Sequence, residues 1–146
     1  VMTRTVFYLD TCIWLNLFKK EVSAAGISYW ELANDFVSRI IASDDEEIAY
    51  SGIVIKEIRF KLNDSALFCK ALQLIEHPVK CRYIVLSEED YSFARKLESS
   101  LKYSLSFYDC LHIALCKHHN LVLVTRDNLL LKISRRYVLA DRPENL

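Results

Sequence analysis

Thr5-Val6-Phe7-Tyr8-Leu9-Asp10 opens the chain with an apolar run that ends on an acid. β-branched and aromatic residues fill it, and a short, continuously apolar run is the pattern of a strand buried on both faces. Near the other end, Leu121-Val122-Leu123-Val124-Thr125 repeats the pattern and leads through Arg126 to Asp127. In an open parallel sheet, ligands bind beyond the carboxyl ends of the strands, so Asp10 and Asp127 are placed to share one pocket.

Working outward, short strands alternate with helices. A helix runs from near Cys12 through Trp14 and Phe18, and Ser28-Tyr29-Trp30-Glu31 has capping-box spacing for a longer one through Ile41. Ser43-Asp44-Asp45-Glu46-Glu47 reads as a solvated turn, followed by a strand over Ile48-Ala49-Tyr50-Ser51 and the helical stretch Ile53–Phe60. Asp64 caps a helix to Glu76, which Pro78 stops. Arg82–Leu86 reads as a strand, with Ser87-Glu88-Glu89-Asp90 as the cap of the next helix. A helix follows Asp109 to His119-Asn120, and a last short strand is expected near Tyr137-Val138-Leu139. This alternation implies a doubly wound α/β fold with helices covering a parallel sheet.

The chain has 146 residues, 52% of them hydrophobic, which suits one domain over residues 1–146 with a sizeable core. Two glycines and two prolines leave short linkers and no visible boundary, and exclude Gly-rich phosphate loops of the P-loop or dinucleotide type. No apolar stretch approaches the ~20 residues of a membrane span, and Val1-Met2-Thr3-Arg4 lacks a signal-peptide pattern. Five cysteines, mostly in apolar settings such as Phe68-Cys69, read as buried thiols in a reducing cytoplasm. The formal net charge is zero, whereas proteins that grip a long duplex are usually basic. The total hides the distribution: Lys56, Arg59 and Lys61 flank Glu57, and Arg126, Arg135 and Arg136 surround Asp127.

Asp10, Glu57, Asp109 and Asp127 carry the functional reading, and each also has a structural explanation. Asp10 suits a helix cap. Glu57 suits a solvent-facing helix position, although apolar Val54 and Phe60 at i−3 and i+3 set it beside the buried stripe. Ser106-Phe107-Tyr108-Asp109 matches a capping box, and Asp127-Asn128 a plain turn. The helix after Asp109 is apolar on nearly all sides and therefore buried, which puts that carboxylate at the core's edge. Convergence of these acids is unfavourable without a cation, because like charges raise one another's pKa and a divalent metal reverses the penalty. Oxygen ligands without obligatory His or Cys suit Mg²⁺ or Mn²⁺. Metal-assisted phosphodiester hydrolysis is the reaction class that follows.

Val6-Phe7-Tyr8-Leu9-Asp10-Thr11, Ser51-Gly52-Ile53-Val54-Ile55-Lys56-Glu57-Ile58, Phe107-Tyr108-Asp109-Cys110-Leu111-His112-Ile113-Ala114 and Leu123-Val124-Thr125-Arg126-Asp127 resemble, in order and spacing, the motifs of the PIN-domain family. The resemblance implies a three-layer α/β/α sandwich with a central parallel sheet and a Mg²⁺- or Mn²⁺-dependent ribonuclease site. It carries the metal-ligand and catalytic roles onto Asp10, Glu57, Asp109 and Asp127, and a supporting role onto Thr125. Thr11 joins Thr125 in support, and Lys56 and Arg126 are the candidates for binding substrate. VapC-type toxins are relatives of this size, which implies RNA as substrate, an antitoxin protein as partner and a homodimer. Two departures stand out: Cys12 replaces the Asn or Ser many members carry there, and Cys110 replaces a frequent Ala.

Other features carry less. His112, Cys116 and His119 share one helix face, but a structural zinc site needs four ligands and no second pair stands out. His112, one turn after Asp109, is read as steadying that carboxylate or as a satisfied core histidine. No cysteine has the electropositive loop setting of a nucleophile. Trp14, Phe18, Tyr29, Trp30 and Phe36 are read first as core, then as a dimer surface or antitoxin groove, and last as rings that stack on RNA bases. The rival to a nuclease is a catalytically inactive PIN-like scaffold that holds RNA or a protein.

Overall fold

A computed structural model describes residues 3–146, so the reading of Val1-Met2 lies outside the described residues. Five parallel strands form one sheet: β1 (Thr5–Leu9), β2 (Glu46–Tyr50), β3 (Cys81–Tyr83), β4 (Val122–Val124) and β5 (Ala140–Asp141). Their order is β3-β2-β1-β4-β5. Seven helices are described: α1 (Thr11–Phe18), α2 (Tyr29–Ala42), α3 (Gly52–Lys61), α4 (Ser65–Ile75), α5 (Glu88–Ser100), α6 (Phe107–His119) and α7 (Asn128–Ser134). The fold is the expected α/β/α sandwich about a parallel sheet.

The central strand reads as its sequence implies, with Val6, Phe7, Tyr8 and Leu9 all buried. Its register decides where the site forms. Leu9 lies opposite Val124, so the next residues, Asp10 and Thr125, emerge side by side. The chain builds outward from β1 on one side through β2 and β3, then on the other through β4 and β5. The crevice between β1 and β4 is thus the switch point at which such sheets bind ligands.

Capping locks most of the helices as local chemistry predicts, while Ser28 before α2 and Ser51 before α3 make no side-chain cap. Asp64 accepts from Leu67 N–H at 3.1 Å, and Ser87 and Asp90 complete a reciprocal capping box. Ser28 precedes α2 but makes no side-chain cap; its backbone pairs with Val22 in an antiparallel bridge, and its hydroxyl is buried without a partner. Helix α6 is buried continuously from Cys110 to Cys116 and ends where Asn120 turns left-handed at φ 55°, a conformation Asn tolerates.

Several boundaries move. Glu46 and Glu47 belong to β2 rather than to a solvated turn; Glu47 is buried because Arg4 and Arg82 pair with its two oxygens. β3 stops at Tyr83, and Val85 is 68% exposed. The last strand forms at Ala140–Asp141 rather than 137–139, because α7 and the turn after it occupy the chain through Tyr137. Cys69 lies exposed on α4, unlike the buried Cys110 and Cys116. Trp14 and Phe36 are core residues, while Phe18 stacks on Trp14 at 6.2 Å.

Asp90 ties α5 to α6. It is fully buried and accepts from Ser87 N–H at 2.8 Å, and its other oxygen pairs with His118 Nδ1 at 2.5 Å. Burial pushes its carboxyl up, but the Ser87 and His118 hydrogen bonds outweigh that and hold it below the usual carboxylate range. Its stabilisation is therefore present above the unfolded value and is lost as pH falls through the folded one. Asp90→Ala is expected to cost about 2 kcal/mol in cap and hydrogen bonds. Thermal denaturation would then show a Tm lower by roughly 4–8 °C.

Candidate active site

Asp10 comes from a strand terminus, Asp109 and Asp127 from helix heads, and Glu57 from the middle of α3. Asp10 follows β1, caps α1 by accepting from Thr11 N–H at 2.8 Å, and anchors its own N–H on the Val124 carbonyl at 2.9 Å. Thr125, buried after β4, donates its hydroxyl to the second Asp10 oxygen at 2.9 Å. Cys12 donates its thiol to that oxygen at 3.2 Å. Burial, then the Asp10 charge, pushes the Cys12 thiol up, so it stays protonated and serves as a donor. Cys12 thereby supplies a hydrogen bond, the part a Ser hydroxyl plays.

Glu57 reaches the same crevice from α3. Its Oε1 accepts from Thr11 Oγ1 at 3.0 Å and from His112 Nε2 at 3.0 Å. Burial pushes its carboxyl up, but the His112 hydrogen bond and charge, with Thr11, outweigh that and lower it. Asp109 stands in the first turn of α6. Ser106 Oγ accepts from its N–H at 3.1 Å, as the capping reading expects, without the reciprocal carboxylate bond of a full box. Burial, then Asp10, push the Asp109 carboxyl up to about 6, with Asp127 adding to the rise and His112 opposing it. Asp127 is exposed and caps α7, accepting from Leu130 N–H at 2.9 Å.

His112 is the residue whose role the sequence undersold. It is fully buried, and its partner is Glu57 at 3.0 Å, with Asp10 next at 3.8 Å, rather than the Asp109 that precedes it by one turn. On its other side, Nδ1 lies 2.7 Å from the Tyr8 hydroxyl, which lies 2.8 Å from Ser51 Oγ. Burial works against a charged imidazole, yet the Glu57 hydrogen bond and the Asp10, Glu57 and Asp109 charges raise its pKa. Glu57 can only accept, so Nε2 carries the proton whichever charge state His112 adopts. A buried line from Ser51 through Tyr8 and His112 thus orients Glu57. Cys116 and His119 take no part: among the described residues, the group whose ligand atoms come close enough to hold a metal is Asp10, Asp109 and His112.

The candidate substrate-binding cations are placed differently. Lys56 is exposed on α3 and donates to the Tyr108 hydroxyl at 2.9 Å. Arg126 grips Glu144 through two hydrogen bonds of 2.8 and 2.7 Å, and its guanidinium lies 4.3 Å from the Tyr29 ring centroid. Phe60, read with Val54 as part of the buried stripe beside Glu57, is instead 87% exposed. The buried positions of that helix are Ile53, Val54 and Ile58, and Phe60 falls in its last turn outside them.

One oxygen of Asp10, one of Asp109 and a ring nitrogen of His112 lie within 4.8 Å of one another. Two carboxylates so close, one raised to about 6 by burial and its neighbour, are a donor set that a divalent cation would relieve. The profile of the PIN domain matches residues 7–136. This chain belongs to the PIN-domain family. The search of curated proteins found no match. Among solved structures, FitAcB from Neisseria gonorrhoeae is similar at 18% identity and TM-score 0.66, covering 97% of this chain and 100% of that one. VapBC2 from Rickettsia felis, bound to a DNA fragment from their promoter, is similar at 18% identity and TM-score 0.65, covering 94% of this chain and 98% of that chain. VapBC-5 from Mycobacterium tuberculosis, of the VapBC family of toxin-antitoxin systems, is similar at 14% identity and TM-score 0.55, covering 94% and 98%. These likenesses establish the fold across the whole PIN domain.

The Cys12 contact yields a test. Cys12→Ser is expected to preserve Mn²⁺ affinity, since the hydroxyl donates to Asp10 as the thiol does. Cys12→Val removes the donor and should weaken it about tenfold, as losses of groups supporting a metal ligand do. Isothermal calorimetry with Mn²⁺ measures both.

Proposed function

We propose that this PIN domain is a Mg²⁺- or Mn²⁺-dependent ribonuclease and the toxin of a toxin–antitoxin pair. The observation that carries the reading is the carboxylate cluster at the β1/β4 switch point, with Asp10 and Asp109 close enough to repel and Glu57 oriented beside them. Asp10, Glu57, Asp109 and Asp127 would hold the ion. When bound, it would supply charge stabilisation on the phosphate and a lowered pKa for a water. The chain's own groups do the rest. Thr125 and Cys12 fix the rotamer of Asp10, and Thr11 and His112 fix that of Glu57. Asp109 is poised to give up its proton near neutrality when a cation enters.

Zero net charge favours a scaffold that holds RNA without cutting it. Against that stands a repelling carboxylate pair, which costs folding free energy and serves no scaffold. An antitoxin and a second copy of this chain are the protein partners in this reading. Its compartment is the cytoplasm, where five free thiols stay reduced. No helix among the described residues is long and apolar enough to cross a membrane. Labelled single-stranded RNA incubated with the protein and Mn²⁺, then with EDTA, tests the proposal. Cleavage abolished by chelation is expected; cleavage that persists in EDTA would reject metal dependence.

A further inference from the structure

Ribonuclease chemistry at the carboxylates leaves the outer face of α3 without a task. Phe60 is almost wholly in water; a single exposed ring is ordinary, and what singles this one out is its place in a lined hollow beside the site. With Lys56, Glu57, Arg59, Lys61 and Tyr108 it lines an open, mostly apolar hollow of about 450 Å³. Glu57 lines the hollow and also bonds His112 of the carboxylate site at 3.0 Å, so the two are adjacent. Lys56 Nζ lies 5.5 Å from the Tyr108 ring centroid, and Arg59 and Lys61 line the same hollow beside Phe60. In a chain of zero net charge, three cations on one helix beside an acidic site form a local positive strip.

An apolar ring face among cations complements a polynucleotide whose bases are unpaired. Its phosphates lie against the positive groups and a base lies flat on the ring, an arrangement tolerant of sequence. A duplex keeps its bases stacked on each other and offers no such face. We propose that Phe60 and Tyr108, flanked by Lys56, Arg59 and Lys61, form a stacking platform that holds an unpaired base of single-stranded RNA next to the carboxylate site. This rests on the ribonuclease reading and adds to it the surface that selects unpaired RNA.

Fluorescence anisotropy with a labelled mixed-sequence oligoribonucleotide, single-stranded and as its duplex, tests the platform in EDTA, where metal-dependent cleavage cannot proceed. The wild-type chain is expected to bind the single strand more tightly than the duplex. Phe60→Ala should weaken single-strand binding about tenfold, the scale of losing one stacked base, while Phe60→Trp keeps it. Arg59→Ala should reduce the slope of log affinity against log salt by about 0.7. Because Phe60 is exposed, the melting temperature of Phe60→Ala should match wild type, separating lost binding from lost folding. No binding of the single strand by wild type, equal binding of the duplex, or unchanged binding by Phe60→Ala would each overturn the platform. Unchanged binding would point Phe60 to a protein partner. Cleavage assays on the same proteins separate the two ideas: cleavage by wild type and Phe60→Ala alike, with equal RNA binding, keeps the nuclease and removes the platform. Binding lost in Phe60→Ala with no cleavage by wild type keeps the platform and removes the nuclease.

Discussion

Asp109→Asn is expected to reduce RNA cleavage about a hundredfold or more while leaving the fold in place, because a lost metal-ligand charge removes several kcal/mol of transition-state stabilisation. The side chains are isosteric, and the bond that caps α6 comes from the backbone N–H of residue 109 to Ser106, which Asn retains. The buried run Cys110–Cys116 is untouched. What disappears is one of the two carboxylates that come within 4.8 Å of each other. Asp127→Asn should be milder: Asp127 is exposed at a helix cap, and Asn caps nearly as well as Asp. Initial rates on labelled single-stranded RNA at saturating Mn²⁺, with circular dichroism as the folding control, measure both. Wild-type rates in Asp109→Asn would remove Asp109 from the site and with it the assignment of the chemistry to the Asp10–Asp109 carboxylate pair.

The positions of the strand-borne groups are legible because they depend on patterns a chain displays locally. Two apolar runs, each leading to an acid, put Asp10 and Asp127 at the same end of a parallel sheet, and the register then sets Thr125 directly beside Asp10. Burial of α6 follows from a helix without a polar face. The orientation of Glu57 is different in kind. It depends on Ser51, Tyr8 and His112 meeting across separations of 43 and 104 positions, and no local period encodes such a meeting. Phe60 fails for another reason: an apolar residue at i+3 signals the core only when its helix still has core to cover, and the last turn of α3 does not. The run Leu129-Leu130-Leu131 concealed α7 because its buried positions, Leu130, Leu131 and Ile133, are too few to reveal a period.

Without metal, the wild-type chain is expected to lose stability as pH rises from about 4 to 7, and Mn²⁺ to remove much of that dependence. The Asp109 carboxyl is lifted from 3.8 to about 6 by burial and Asp10, so between those values the folded state holds a proton that the unfolded state has released. Stability therefore falls as pH rises through that window. At about 1.36 kcal/mol per pKa unit the ceiling is about 3 kcal/mol; Asp109 is partly exposed, which reduces it to about 1–2 kcal/mol. His112, raised by Glu57 and Asp10 against its burial, acts in the same direction at higher pH. Glu57 and Asp90 are held low and act oppositely at lower pH. The difference between wild type and Asp109→Asn largely cancels these shared contributions. In EDTA the variant should be the more stable by about 1–2 kcal/mol at pH 7, with the two converging near pH 4. Mn²⁺ at a hundred times its dissociation constant should then stabilise wild type by about 2.7 kcal/mol and the variant far less, inverting their order. Thermal melts over pH with and without Mn²⁺ test this directly. A variant less stable than wild type in EDTA at pH 7, or equal stabilisation of both by Mn²⁺, would mean that Asp109 and Asp10 do not share a cation.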